Sequence, residues 1–119
     1  MADPNIVNVT TITGKTAAST LTASAASQVT NAIASGKVFK INTVIASNKS
    51  GAVTTQVNIG YVKGGVTYYI GRTIDVPADS SVVILDKNTS IYLQEGESIS
   101  AFAASTNIID LTISYEEIS

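Results

Sequence analysis

The sequence predicts an all-β protein, built as an antiparallel two-sheet sandwich of the jelly-roll or immunoglobulin-like kind. Three observations support this class. Short runs rich in Val, Ile and Thr recur along the chain, turn residues separate them every ~8–12 positions, and apolar and polar residues alternate inside several runs. The 119 residues suit one domain, so we expect a single sandwich over residues 1–119 with about eight to ten strands.

The first apolar run covers residues 6–13 and predicts the first strand. Ile6, Val7 and Val9 give it the β-branched character that suits a pleated surface. Because it stands at the start of the chain, we expect an extended N-terminal arm over residues 1–13. An apolar, β-rich arm of this kind can add a strand to the sheet of a neighbouring protein.

A turn is predicted where the first run ends. Gly14 and Lys15 interrupt the apolar residues there. Gly14-Lys15-Thr16 also ends like a phosphate-binding loop, but Val9 occupies the position of that motif's first glycine. A turn between two strands is therefore the better interpretation.

Residues 16–36 are rich in Ala, Ser and Thr and are the ambiguous stretch. A helix is one alternative, because apolar residues recur there at helical spacing: Leu21, Ala25, Val29 and Ile33. Ser and Thr compete with helical backbone hydrogen bonds and lower the helix propensity. We therefore expect two short strands or an irregular edge.

The remaining chain has a clearer pattern of strands and turns. Gly64 and Gly65 supply the positive φ angles of a tight hairpin, and Pro77 ends the returning strand. The run 81–85 is apolar throughout, so we expect it to be buried on both faces. Strands are predicted over residues 37–47, 53–62, 66–76, 81–85, 90–93, 98–103 and 108–118.

The low charge of the chain predicts a subunit of an assembly. Charged residues are only 13% of the total and the net charge is −2, whereas about 25% charged residues is usual in soluble domains. Thr, Ser, Asn and Ala take their place. A neutral polar surface can be buried against a neighbour at little desolvation cost.

The composition also argues against several functional classes. The chain has no His and no Cys, so it lacks the commonest general base and metal ligand and any thiolate. We therefore expect no enzyme, no catalytic residues, no cofactor and no metal. The seven Lys and Arg residues are scattered, which disfavours a nucleic-acid partner. No apolar run reaches the ~18 residues of a membrane helix, and no signal peptide precedes the first strand, so we expect synthesis in the cytoplasm.

Two side-chain groups are candidates for a functional site. Tyr61, Tyr68 and Tyr69 cluster at the predicted hairpin, where they could form an interaction face or pack across the strands. Glu95 and Glu97 share one turn, but two acids are too few for a calcium loop. We therefore expect both carboxylates to be solvated.

Residues 37–119 resemble small structural proteins of tailed-phage virions, especially those of marine and cyanobacterial phages. The opening "PNIVNV" is similar to the start of such proteins. The resemblance is carried by an Ile-rich strand that ends in "ASN", a hairpin that ends in "VPA", and the segments "LDK", "YLQEGE" and "SYEEI". The resemblance implies a β-sandwich located in the virion, usually oligomeric, with no catalytic residues to carry over.

The resemblance and the composition together favour a capsid decoration or cement protein. Such a protein stabilises the shell through contacts with the major capsid protein or other virion proteins, and we expect a homo-oligomer, with a trimer as one form. A tail, neck or fibre-associated component is the alternative, and a glycan-binding module for host attachment is a second. The candidate interface residues are Ile6, Val7, Val9, Tyr61, Tyr68 and Tyr69.

Overall fold

The computed structural model of the chain describes residues 11–119, apart from the side chain of Lys87. Most of the first predicted strand, including the interface candidates Ile6, Val7 and Val9, lies outside the described residues. The predicted arm over 1–13 overlaps the described chain at its end, where Ile12 and Thr13 already belong to a sheet.

The described residues form nine strands and one turn of 3-10 helix at Lys87–Thr89. The strands are β1 (Ile12–Thr20), β2 (Ala26–Thr30), β3 (Val38–Asn48), β4 (Thr55–Lys63), β5 (Val66–Val76), β6 (Ser81–Leu85), β7 (Ile91–Leu93), β8 (Ser98–Ala103) and β9 (Ile109–Ile118). The stretch 16–36 thus holds the end of β1 and all of β2, which confirms the expectation of strands over a helix.

The strands form two antiparallel sheets packed face to face. One sheet has the order β1-β9-β3-β6, with β7 also paired to β3, and the other has the order β2-β8-β4-β5. The pairs are nested along the chain: β1 pairs with β9, β2 with β8, β3 with β6 and β7, and β4 with β5. Counting β6 and β7 as one interrupted strand gives eight strands, which is the jelly-roll arrangement. The predicted all-β sandwich is therefore confirmed.

Alternation along the strands places the core between the sheets. Inward side chains of both layers meet in one cluster of 17 buried residues, mostly Ile, Val and Leu. Ile41, Val57, Ile59 and Ile99 are fully buried examples. Burial of such side chains contributes roughly 1.5–3 kcal/mol each, so this cluster is the main source of stability.

Two local predictions are wrong. Gly14 and Lys15 do not form a turn: they pair with Glu116 and Tyr115 in the middle of β1. A glycine in an edge strand is tolerated because no neighbour needs its side chain for packing, and no heavy atom lies within 4 Å of the Cβ position at Gly14. The run 81–85 is not buried on both faces either, because β6 is an edge strand and leaves Val83 57% exposed.

Asn31 fixes the irregular segment between β2 and β3. Its side chain is fully buried, and its Nδ2 donates to the backbone oxygens of Lys37 at 2.8 Å and Leu93 at 3.0 Å. Its Oδ1 accepts a hydrogen bond from Ser35 Oγ at 2.5 Å. One amide thus closes the loop onto itself and ties it to β7.

We expect Asn31→Ala to lower the free energy of unfolding by about 2–3 kcal/mol, because two buried carbonyl oxygens lose their donor. Urea denaturation measures the change. Asn88→Ala is the matched control, since its side chain is exposed, and it should alter stability by less than about 0.5 kcal/mol. Equal effects of the two substitutions would contradict the role given to Asn31.

Glu117 holds the start of β1 against the sheet. Its carboxylate is 12% exposed, and it lies 3.0 Å from Lys15 Nζ and 3.1 Å from Lys37 Nζ. Burial by itself raises the pKa of Glu117, but hydrogen bonds and charges of the two lysines outweigh burial and leave the pKa below its ordinary value. The two lysines come from β1 and from the residue before β3, so the ion pairs join three segments.

A lowered native pKa means that the unfolded chain binds more protons, so Glu117 contributes stability above its unfolded pKa of about 4.3. This contribution is lost as the pH falls through the lower native value. We therefore expect Glu117→Gln to destabilise the protein at pH 7 and to have a smaller effect below about pH 4. Urea unfolding at several pH values tests this, and a pH-independent difference between the two proteins would refute it.

Candidate functional site

A cleft lined by tyrosines opens at one edge of the sandwich, between the edge strands β5 and β7. Its volume is about 450 Å³. Both sheets contribute residues to the cleft, since β5 belongs to one sheet and β7 to the other. The lining residues are Tyr61, Tyr68, Tyr69, Ile70, Ile91 and Tyr92.

The β4–β5 hairpin brings three of the tyrosines together. Gly64 and Gly65 have φ angles of +59° and +78°, as the tight turn requires. Tyr61 of β4 is then directly opposite Tyr68 of β5. The cross-strand pairing predicted from sequence is present, yet Tyr68 remains 57% exposed.

Gly60 lets the two strands approach beside these tyrosines. It pairs with Tyr69, and a Cβ at this position would lie 2.5 Å from Thr67 Cγ2 and 3.4 Å from the Tyr68 backbone oxygen. A side chain here would collide with the Thr67 methyl group, so Thr67 would have to shift. The close approach therefore depends on glycine.

The fourth tyrosine, Tyr92, was missed by the sequence interpretation. It lies on β7, 31 positions after Tyr61 in the sequence but next to the hairpin in space, and it is 42% exposed. Its cross-strand neighbour is Lys40 of β3. The signal that could have found it is an aromatic residue at an outward position of a very short strand.

Glu97 is buried next to the cleft, which corrects the prediction that this carboxylate is solvated. It is 4% exposed, its Oε1 accepts from the Gln94 backbone N–H at 2.8 Å, and its Oε2 lies 3.6 Å from Lys63 Nζ. Glu95 is not fully solvated either, since its Oε2 accepts from the Gly36 backbone N–H at 2.6 Å. Both acids thus fix the turn between β7 and β8.

Tyr61 joins this buried carboxylate to the cleft. Burial, together with a hydrogen bond to Glu97 and its negative charge, raises the pKa of Tyr61 to about 12. The hydroxyl is therefore a hydrogen-bond donor at every physiological pH. Tyr61 forms the inner wall of the cleft, and the more exposed tyrosines form its rim.

Arg72 stacks on the outer tyrosine of the hairpin. Its guanidinium carbon is 4.6 Å from the ring centroid of Tyr69, within the range of a cation–π contact. The cleft is thus lined by aromatic and apolar side chains, and one of its tyrosines has a cation over its ring. This chemistry suits the binding of a ligand.

Residues 11–119 contain no group of three or more acidic, His or Cys side chains that could hold a metal ion. No helix in the same part of the chain is long and apolar enough to cross a membrane.

Of the six interface residues predicted from sequence, the structure brings Tyr61, Tyr68 and Tyr69 into one cleft. Ile6, Val7 and Val9 lie outside the described residues. Their contribution to an interface stays a prediction.

Comparison with known proteins gives structural similarity alone. No family model and no curated protein matches the chain. The nucleoplasmin-like N-terminal domain of Drosophila FKBP39 is similar at 13% identity and a TM-score of 0.45, covering 87% of this chain and 85% of that one.

A second solved structure, of Bacillus endospore appendages described as disulfide-linked pili, is similar at 14% identity and a TM-score of 0.48. It covers 99% of this chain and 96% of that one. The present sequence has no cysteine, so a disulfide link has no counterpart in these 119 residues. Neither likeness carries an argument about function.

We expect a titration of tyrosine absorbance to reveal one group with a pKa near 12 that disappears in Tyr61→Phe. Glu97→Gln should lower this pKa, because the charge is removed, but leave it above 10.0, because burial remains the largest cause. Recording the absorbance directly after a rapid pH jump avoids alkaline unfolding. A titration unchanged by Tyr61→Phe would show that another tyrosine is the perturbed one.

Proposed function

We propose that this chain is a structural subunit that works by binding other protein subunits and catalyses no reaction. More specifically, we propose that the chain is a capsid decoration protein of a tailed phage and that its partner is the major capsid protein. The setting is the phage particle, and the mechanism is thermodynamic: each interface that forms only in the assembled state stabilises that state.

The observation that carries the structural role is the open edge of β1. All nine residues of this strand pair with β9 on one side, without a register shift. On its other side, β1 pairs with no strand of residues 11–119. Eight of its nine residues are exposed.

An edge of this kind is a template for another strand. A strand presents unpaired N–H and C=O groups along its free side, and proteins usually protect such edges with charges, prolines or bulges. β1 has no proline and no bulge, and Lys15, its one charged residue, is already paired with Glu117. We therefore infer that a neighbouring subunit adds a strand to β1.

The remaining side chains of β1 also suit burial. They are Thr, Ala, Ser and Gly, apart from Ile12 at the start. Small neutral side chains lose little hydration when a partner covers them, and they let the partner's backbone come close. Ile12 is 56% exposed and gives this surface an apolar contact point.

The phage setting depends on the resemblance of residues 37–119 to virion proteins. The N-terminal arm predicted over residues 1–13 is the proposed donor strand. Because Ile12 and Thr13 belong to β1 and Thr11 pairs with Ser119, the proposed donor is limited to residues 1–10. The alternative, a tail, neck or fibre-associated component, uses the same edge at a few places on the particle.

We expect the purified protein to assemble beyond its 12.3 kDa monomer and Ala18→Lys to shift it towards the monomer without lowering its melting temperature. A charge at the exposed edge position disfavours strand addition. Thr112→Lys is the matched control, because Thr112 is exposed and directly opposite Ala18 but lies on the central strand β9. Light scattering after size-exclusion chromatography measures the mass.

The two substitutions separate edge pairing from a general effect of charge. Equal masses for the two variants would refute assembly through β1. Copy number in a reconstruction of the intact particle then decides the setting: many copies over the shell support the decoration protein, a few copies at the tail support the alternative, and absence from the particle contradicts the phage assignment.

A further inference from the structure

Two cations beside tyrosines of the cleft form no salt bridge within the described chain. Lys40 lies directly across from Tyr92, and Arg72 lies over the ring of Tyr69. Neither forms a salt bridge within residues 11–119. Glu116 is the cross-strand neighbour of Lys40 on its other side, but its Oε1 accepts from Asn42 Nδ2 at 3.1 Å.

Lys40 and Arg72 differ in this respect from four other lysines of the chain, each of which forms an ion pair. Lys15 and Lys37 bind Glu117, Lys49 binds Asp110, and Lys63 binds Glu97. Two cations without a salt bridge thus lie beside this cleft, where carboxylates of a ligand could meet them. An acidic ligand is favoured there over a basic or neutral one.

The cleft is also bordered by a free strand edge. β5 pairs only with β4 among the described strands. Its first part is regular, with Val66 to Tyr69 each opposite one residue of β4. Beyond Tyr69 the pairing is shifted, with Gly71 opposite Ile59, and Thr73 has a φ of +50°, with its N–H held by Asn58 Oδ1 at 2.9 Å. An added strand could therefore pair along 66–69 and would have to end at this irregularity.

The lining favours a peptide over a sugar. All six lining residues are tyrosine or isoleucine. Sugar hydroxyls are best bound by carboxylate and amide side chains, which offer paired acceptors and donors, and none of the lining residues is of this kind. Tyrosine rings instead pack against apolar side chains, and their hydroxyls bond to peptide carbonyl oxygens.

We propose that the tyrosine cleft binds an extended peptide segment of a partner protein, in which acidic and apolar residues alternate and which pairs with the edge of β5. Apolar side chains of the segment lie on the tyrosines, and its acidic side chains meet Lys40 and Arg72. This proposal rests on the proposed function and names the chemistry of one partner at a surface distinct from β1.

The probe is an array of synthetic octapeptides that alternate an apolar residue with aspartate, glutamate, lysine or serine. The labelled full-length protein should bind the acidic peptides at least about tenfold more tightly than the lysine and serine peptides, with an affinity that falls as salt is added. Equal binding to lysine peptides, or no binding to any acidic peptide, would overturn the proposal.

Matched variants test the assignment to the cleft. Lys40→Gln and Arg72→Gln should each weaken binding to acidic peptides severalfold, whereas Lys49→Gln removes the same charge elsewhere and should leave binding unchanged. Tyr92→Ala and Tyr68→Ala should each weaken it by about tenfold or more, with both residues exposed enough for the fold to persist, as circular dichroism would check. Binding that none of these substitutions changes would place the peptide elsewhere and refute the proposal.

A glycan array probed with the same labelled protein tests whether the ligand of the cleft is a sugar. Glycan binding that is lost in Tyr68→Ala, without peptide binding, would overturn the peptide proposal in favour of a sugar site. The oligomeric mass of the same variants shows whether a failure concerns the cleft or the proposed function. Lys40→Gln and Tyr92→Ala should leave assembly through β1 intact. Loss of peptide binding with normal assembly thus bears on the cleft alone, and loss of assembly in Ala18→Lys with normal peptide binding bears on β1 alone.

Discussion

The register between β3 and β9 is the constraint on which the rest of the structure depends. The two strands pair from Val38 opposite Ile118 to Asn48 opposite Ile109, with one shift between Ile41 and Thr43. Since side chains alternate between faces, an unbroken β3 could not direct both Ile41 and Val44 into the core. The bulge at this shift does so, and both residues are fully buried. The other strands of this sheet pair with β3 or β9, so their faces follow from this register.

The same register determines where the tyrosine cleft forms. β7 is three residues long and pairs only with the part of β3 before the bulge, while β6 pairs with the part after it. The sheet edge is therefore interrupted between these two strands, opposite the hairpin of β4 and β5. Tyr92 and Ile91 from one sheet meet Tyr61 and Tyr68 from the other at this interruption. A longer β7 would continue the edge and alter the opening.

The two open edges of the sandwich differ in how far another strand could follow them. β1 is regular over its whole length and has small side chains, so its edge is accessible throughout. β5 is regular only from Val66 to Tyr69, and that part carries two of the tyrosines of the cleft. The strand orders place β1 and β5 at opposite ends of their sheets. The two open edges therefore differ both in regularity and in side-chain chemistry.

The sequence by itself determined the all-β class, because β-branched residues and turn residues at short intervals leave no alternative that buries enough apolar surface. It also located the β4–β5 hairpin, since Gly64 and Gly65 act locally through their φ angles. Only the tertiary structure decided that Gly14 and Lys15 lie inside a strand, because β9 supplies their hydrogen-bond partners from the other end of the chain. It likewise decided the burial of Glu97 and the place of Tyr92 in the cleft, since both depend on residues distant in sequence that the folding of two sheets brings together.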